Sequence, residues 1–373
     1  MKNGVRVMRR TRIVATIGPA SSDRPTLKSL LESGVDVCRF NYSHGDPEDK
    51  TELYRRVRDI EDEMGRPTCI LADLPGPKLR LGNFPEVHML EDGVEITLHC
   101  GVLHMESTNG TDFPVEYGGL SAEIKPGDPI LLADGLIRLK VVTTDGEADG
   151  KVRCTVVDGG PISSRKGVNV PGTLVDLPAI GPKDTLALNH ALENGADCIA
   201  VSYVRTAADL LPAKEAVRAA SMHVPVLAKI EHPVALENLE SILDVADAVM
   251  VARGDLGVEI PLENVPVVQQ QIIDKALERG MPVIVATQML ESMTFQPRPT
   301  RAEVSDVSTA IRHGATGVML SGETASGKYP VETVETMAKI VNATEEGLDT
   351  YELRPTALAK FRSTRAVAHA GVV

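Results

Sequence analysis

Lys229 and Glu231 stand two residues apart where the apolar run 225–230 ends. On a strand that spacing turns both side chains to one face. An ammonium beside a carboxylate can be a structural ion pair. It can equally be a cation for a phosphoryl group next to a ligand for a divalent metal. The next run, 248–252, leads into Arg253-Gly254-Asp255 and supplies a second carboxylate. Two carboxylates with no His or Cys cluster suit Mg²⁺ or Mn²⁺ better than Zn²⁺, with water and substrate oxygens filling the remaining positions. Arg39 ends another run and could clamp a phosphate bidentately, or bridge to Asp73 at the end of the next. Thr287-Gln288 and Ser321-Gly322-Glu323-Thr324 close two more. His44 has no Ser/His/Asp or Cys/His partners in the pattern, so it reads as a binding residue at most.

Those residues need elements that bring them to one place. Eight short apolar runs recur, at 13–17, 35–40, 68–74, 198–203, 225–230, 248–252, 283–287 and 317–320. They are continuous rather than alternating, as in parallel strands covered on both faces. Helical segments lie between them with start and stop signals: Ser22-Asp23 and Gly34, Pro47 and Gly65, Pro266 and Gly280, Thr300 and Gly314. The pattern predicts an α/β fold, a (β/α)8 TIM barrel, whose catalytic groups belong at the C-terminal strand ends. A doubly wound open sheet is the structural alternative.

The rhythm breaks once. Between the third run and the helix expected at 182–193 lies a stretch far longer than an ordinary connection. It carries alternating segments, 94–98 and 152–156, and turn signals such as Asp92-Gly93 and Pro126-Gly127-Asp128. We expect residues 1–76 and 179–348 to form the barrel, with 77–178 an inserted β-barrel-like lid. Residues 349–373 form a tail.

Composition narrows the function. The chain has 373 residues, 43% of them hydrophobic, enough for a large core. Its formal net charge of −13 disfavours nucleic acid and anionic membrane as partners. Any anion site must therefore gather its Lys and Arg locally. The five cysteines show no CxxC spacing, and no apolar segment reaches membrane-spanning length. A cytoplasmic protein with free thiols is expected. Gly322-Glu323-Thr324-Ala325-Ser326-Gly327-Lys328 imitates a phosphate-binding loop, but Tyr329 stands where Ser or Thr is needed.

Several segments together resemble the pyruvate kinase family. They are Thr16-Ile17-Gly18-Pro19-Ala20-Ser21, Cys38-Arg39-Phe40-Asn41-Tyr42-Ser43-His44-Gly45, Lys166-Gly167-Val168-Asn169-Val170-Pro171-Gly172, Lys229-Ile230-Glu231, 249–261, 286–293 with 297–302, and 319–325. The resemblance implies phosphoryl transfer from phosphoenolpyruvate to ADP, giving pyruvate and ATP, with Mg²⁺ or Mn²⁺. It implies that Lys229 steadies the phosphoryl group in flight, Arg39 grips the phosphate, and Glu231 and Asp255 hold the metal. Gly254, Asp255 and Thr287 would hold the carboxylate, with Thr287 aiding enolate protonation. Asn41, His44, Arg80 and Lys166 would meet the nucleotide.

Two departures from the family pattern stand out. The third strand reads Asp73-Leu74-Pro75-Gly76-Pro77-Lys78, where the family often has Thr for Leu74 and Glu for Lys78. We expect Lys78 to replace the K⁺ that the family often binds through Asn41, Ser43 and Asp73, so that K⁺ is not required. The resemblance also leads us to expect that most of the family's usual C-terminal domain is absent from this sequence, with 349–373 as its start, so no fructose-bisphosphate activation is expected and any homo-oligomer should use barrel contacts. The rival readings are a metal-dependent aldolase or lyase acting on pyruvate, and a catalytically inactive homologue.

Overall fold

The computed structural model describes residues 9–133, 135–146, 149–173 and 175–348. The expected tail, 349–373, lies outside them. Eight parallel strands close into a barrel: β1 (Arg12–Thr16), β2 (Val37–Asn41), β3 (Cys69–Asp73), β4 (Cys198–Val201), β5 (Val226–Ile230), β6 (Ala248–Ala252), β7 (Val283–Ala286) and β8 (Gly317–Leu320). β1 pairs with both β2 and β8, which completes the ring and rules out an open sheet.

The continuous apolar runs have the cause expected of them. One set of side chains, including Ile13, Phe40, Ile70, Ile199, Ile230 and Val318, packs outward against the helices. The alternate set, Val14, Leu71, Ala200, Leu227, Met250 and Met319, fills the barrel interior. Both faces are dry, so neither strand face needs polar residues until the strands end.

The helices start and stop where their caps dictate. Asp23 accepts from the Thr26 amide at the head of helix Arg24–Ser33, and Gly34 closes it at a positive φ of 123°. Thr300 and Glu303 form a reciprocal capping box on helix Arg301–Arg312.

The chain between β3 and the helix Pro182–Glu193 folds separately around its own apolar cluster, which includes Ile96, Leu98, Phe113, Leu139 and Val152. Six strands run in the open order Val168–Asn169, Pro129–Leu132, Ile137–Thr144, Lys151–Asp158, Glu95–Cys100, Asp112–Val115. His88–Leu90 and Gly160–Ile162 form a separate pair. One helical turn, Leu120–Glu123, interrupts the strands. The insert leaves the barrel through Gly76, which has a positive φ and lies so close to Ser202 that any Cβ would stand 2.6 Å from the serine Cβ. Asp184 accepts from the Gly76 amide at 2.7 Å and ties this exit to the returning helix.

Candidate active site at the barrel rim

The site follows from the interior parity of the strands. Side chains alternate, so two residues beyond each interior apolar residue comes another that points inward. Val14 leads to Thr16, Val37 to Arg39, Leu71 to Asp73, Ala200 to Ser202, and Leu227 to Lys229 and then Glu231. The layer above the apolar filling is therefore polar.

It is also tightly connected. Arg39 Nε donates to Asp73 at 2.7 Å and its guanidinium to Thr16 Oγ1 at 2.8 Å. The Lys229 ammonium is held by Asp73 at 3.1 Å, Glu231 at 2.9 Å and Ser202 Oγ at 2.7 Å. These three contacts match its three protons. Asp73 and Glu231 are each only 1% exposed. Burying such charges costs several kcal/mol per ion, so the cluster is no efficient device for stability.

The titration behaviour follows from the same contacts. Burial works against the charge of Asp73, but Lys229 and Arg39 outweigh it and hold the carboxyl below its usual range. Burial also opposes the charge on Lys229, yet Asp73 and Glu231 raise its pKa above the ordinary lysine value. Glu231 goes the other way. Burial, helped by the charges of Asp255 and Asp73, raises its pKa despite Lys229. A buried carboxylate with another acid close by suits a cation-binding position.

Asp255 lies in helix Arg253–Glu259, directly after β6. Among the described residues no group of three or more His, Cys, Asp or Glu side chains gathers for a metal. Glu231 and Asp255 form a two-carboxylate arrangement that fits a hard divalent ion finishing its shell with water and substrate oxygens.

Thr287 follows β7 with a φ of 70°, and Gln288 has 55°. Left-handed backbone is a costly conformation for a β-branched residue and is often found at functional sites. The Gly254 amide donates to Thr287 Oγ1 at 2.6 Å, and the hydroxyl donates to the Ala286 carbonyl at 2.5 Å. Arg253 points away from the centre. It secures this turn through the Thr287 carbonyl at 2.7 Å and an ion pair with Asp306 at 2.6 Å.

The remaining candidates lie around this centre. Asn41 is paired with Asp73 across β2 and β3, and its side chain accepts from the Ser43 amide. Burial lowers the His44 pKa, with further pressure from Arg80, Arg39, Lys50 and Lys78. Buried Lys50 donates to the His44 carbonyl at 2.7 Å and lies over the Tyr42 ring, fixing the loop. Arg80 and Lys166 occupy facing arms of the insert: Arg80 bridges Gly167, and the Leu81 amide donates to the Lys166 carbonyl. The Lys166 side chain is exposed and makes no ion pair among the described residues.

Leu74 is buried in the outer core. The Lys78 ammonium lies 3.5 Å from Asp255 Oδ1, and its charge also bears on His44. The phosphate-loop imitation is a one-turn helix, Gly322–Ala325, whose Glu323 accepts from the Leu290 and Ser321 amides.

Thr16, Ser202 and Tyr203 carry no motif of their own in the sequence; the period-two rule reaches the first two, but not the left-handed Tyr203.

A closed parallel barrel with cations and carboxylates on its C-terminal rim, under an insert carrying further basic residues, defines a barrel enzyme built to handle anionic, phosphate-bearing substrates. Comparison with known proteins narrows this class. The family model described as "Pyruvate kinase, barrel domain" matches residues 8–334. The chain is 46% identical over 344 residues to a pyruvate kinase of Agrobacterium vitis, an alignment covering 92% of this chain and 71% of that protein. It is 47% identical over 341 residues to one from Mycobacterium tuberculosis, covering 91% and 71%. It is 44% identical over 342 residues to one from Thermococcus litoralis, covering 90% and 70%. The chain belongs to the pyruvate kinase family.

Proposed function

We propose that this chain moves the phosphoryl group of phosphoenolpyruvate to ADP, forming pyruvate and ATP in the cytoplasm. The observation that carries this reading is the buried cluster of Arg39, Asp73, Lys229 and Glu231 beside Asp255 at one barrel rim. Phosphoryl transfer depends chiefly on positioning and on cations around spreading negative charge.

Arg39 faces the phosphate with the nitrogen hydrogens that Asp73 and Thr16 leave free. Lys229 follows the phosphoryl group from enolate oxygen to nucleotide. Glu231 and Asp255 would hold Mg²⁺ or Mn²⁺, which would neutralise charge on the phosphate and the enolate. The Gly254 and Asp255 amides and the Thr287 hydroxyl receive the carboxylate; Gly254 and Thr287 satisfy each other without it. After transfer the enolate carbon takes a proton from the Thr287 side, directly or through water. Asn41, His44, Arg80 and Lys166 contact the nucleotide, Lys166 arriving with the lid.

A coupled assay for pyruvate with the purified chain tests this. Product should depend on ADP, and Lys229→Met should lower turnover roughly a thousandfold. Pyruvate release without ADP would instead favour a lyase.

We further propose that K⁺ is not required. Leu74 offers no side-chain oxygen, and Lys78 adds a fixed positive charge at the rim. Replacing K⁺ by tetramethylammonium should leave the rate nearly unchanged; a large drop refutes the idea.

A further inference from the structure

Tyr203 occupies an unusual position. It follows β4 with a φ of 52°, a left-handed conformation that a bulky residue adopts only when its surroundings enforce it. Its backbone amide donates to Glu231 Oε2 at 2.7 Å. Its hydroxyl lies 3.5 Å from Asp255 Oδ1. One residue thus touches both carboxylates assigned to the metal. The same hydroxyl is 3.4 Å from the Asn169 side-chain amide, which also donates to Glu259 Oε1 at 3.1 Å. Asn169 lies on the lid arm three residues after Lys166. Glu259 is one helical turn beyond Asp255 in Arg253–Glu259. The lid arm therefore contacts both the tyrosine that touches the two carboxylates and the helix that carries one of them.

A cavity lined by Pro77, Leu79, Asn169, Tyr203, His232 and Glu259 lies between arm and barrel, and among the described residues Glu259 Oε2 is buried there without a hydrogen-bond partner. Beside it the Asn169 side chain carries the polar bonds from the arm to the barrel.

We infer that Tyr203 and Asn169 are positioning residues that link the lid arm to the metal-binding carboxylates. The inference rests on the metal assignment made above. Order imposed on Glu231 and Asp255 passes through Tyr203 to the arm that carries Lys166, and displacement of the arm disturbs the carboxylates. By linkage the effect must be reciprocal: metal steadies the arm by the same factor by which the arm improves metal affinity. Partners in contact with metal ligands commonly alter affinity by about tenfold or more when removed.

The test uses the whole purified chain without nucleotide or phosphoenolpyruvate. Mn²⁺ affinity is measured by electron paramagnetic resonance. Hydrogen exchange of the peptide spanning Lys166 to Gly172 is followed with and without Mg²⁺. Tyr203→Phe keeps the ring and loses the hydroxyl, and Asn169→Ala removes the arm's amide. Each should weaken Mn²⁺ binding about tenfold, and the pair together little more than either alone. In wild type Mg²⁺ should slow exchange in the arm, and in both variants that slowing should disappear. A merely structural role would lower the melting temperature without removing the metal-dependent change. Glu231→Gln separates the two hypotheses. If it leaves Mn²⁺ binding intact, the metal assignment fails. If it abolishes binding while both other variants bind like wild type and keep the metal-dependent slowing, the link between arm and carboxylates is wrong.

Discussion

His44 shows how neighbours decide what a residue can do. Burial and the surrounding Arg80, Arg39, Lys50 and Lys78 all favour its neutral form. With the folded pKa below the ordinary value near 6.5, the ring stays neutral through physiological pH. Protonation on acidification therefore costs the folded state more than the unfolded one. An NMR titration of His44 should give a midpoint below that ordinary value, and the rate should show no inflection from this group between neutral and mildly alkaline pH. A midpoint at or above it would mean the four cations do not surround the ring. His44 can accept a hydrogen bond from a nucleotide in this state, but it cannot supply a positive charge.

At the scale of elements, helix Arg301–Arg312 offers a direct test of capping. Glu303 accepts from the Ser292 amide and hydroxyl and from the Thr300 amide and hydroxyl. Burial opposes its charge, but these bonds prevail and lower its pKa. A lowered carboxyl pKa gives stability that is present above the unfolded value and lost as pH falls through the folded one. Glu303→Gln should cost about 1 kcal/mol at neutral pH, read as a lower melting temperature. The gap between variant and wild type should shrink below pH 4 or so, since ordinary glutamate titrates near there. A gap that stays constant into acid would show that packing, not charge, carries the effect. The Thr300 and Gly314 signals that bracket this helix were plain in the sequence, as were the eight apolar runs, because caps and barrel strands are local requirements. Thr16 and Ser202 were legible in principle from strand parity. Tyr203 ends the apolar run 198–203, but neither its left-handed turn nor its reach to Glu231 and Asp255 leaves a local trace. The pairing of Lys78 with Asp255 and the tie from Asp184 to Gly76 span too many positions for any local pattern.

At the scale of the molecule, the proposed reaction divides between two bodies with separate apolar cores. Arg39, Lys229, Glu231, Asp255 and Thr287 all belong to the barrel, whereas Arg80 and Lys166 belong to the insert. On the proposed assignment, recognition of pyruvate and exchange of its methyl protons would need only the first set, since the proposed carboxylate site and protonating side are there, whereas transfer to a nucleotide would need both. This division also answers how a chain of net charge −13 attracts anions: its cations are gathered at the rim and on the arms above it. Lys166→Met should therefore reduce ATP formation roughly a hundredfold. Exchange of pyruvate methyl protons in heavy water, followed by NMR with metal and inorganic phosphate present, should stay close to wild type. Thr287→Val should slow both reactions. If Lys166→Met stopped the exchange as completely as the transfer, the lid would be part of the enolate site, and the division between barrel and insert would fail.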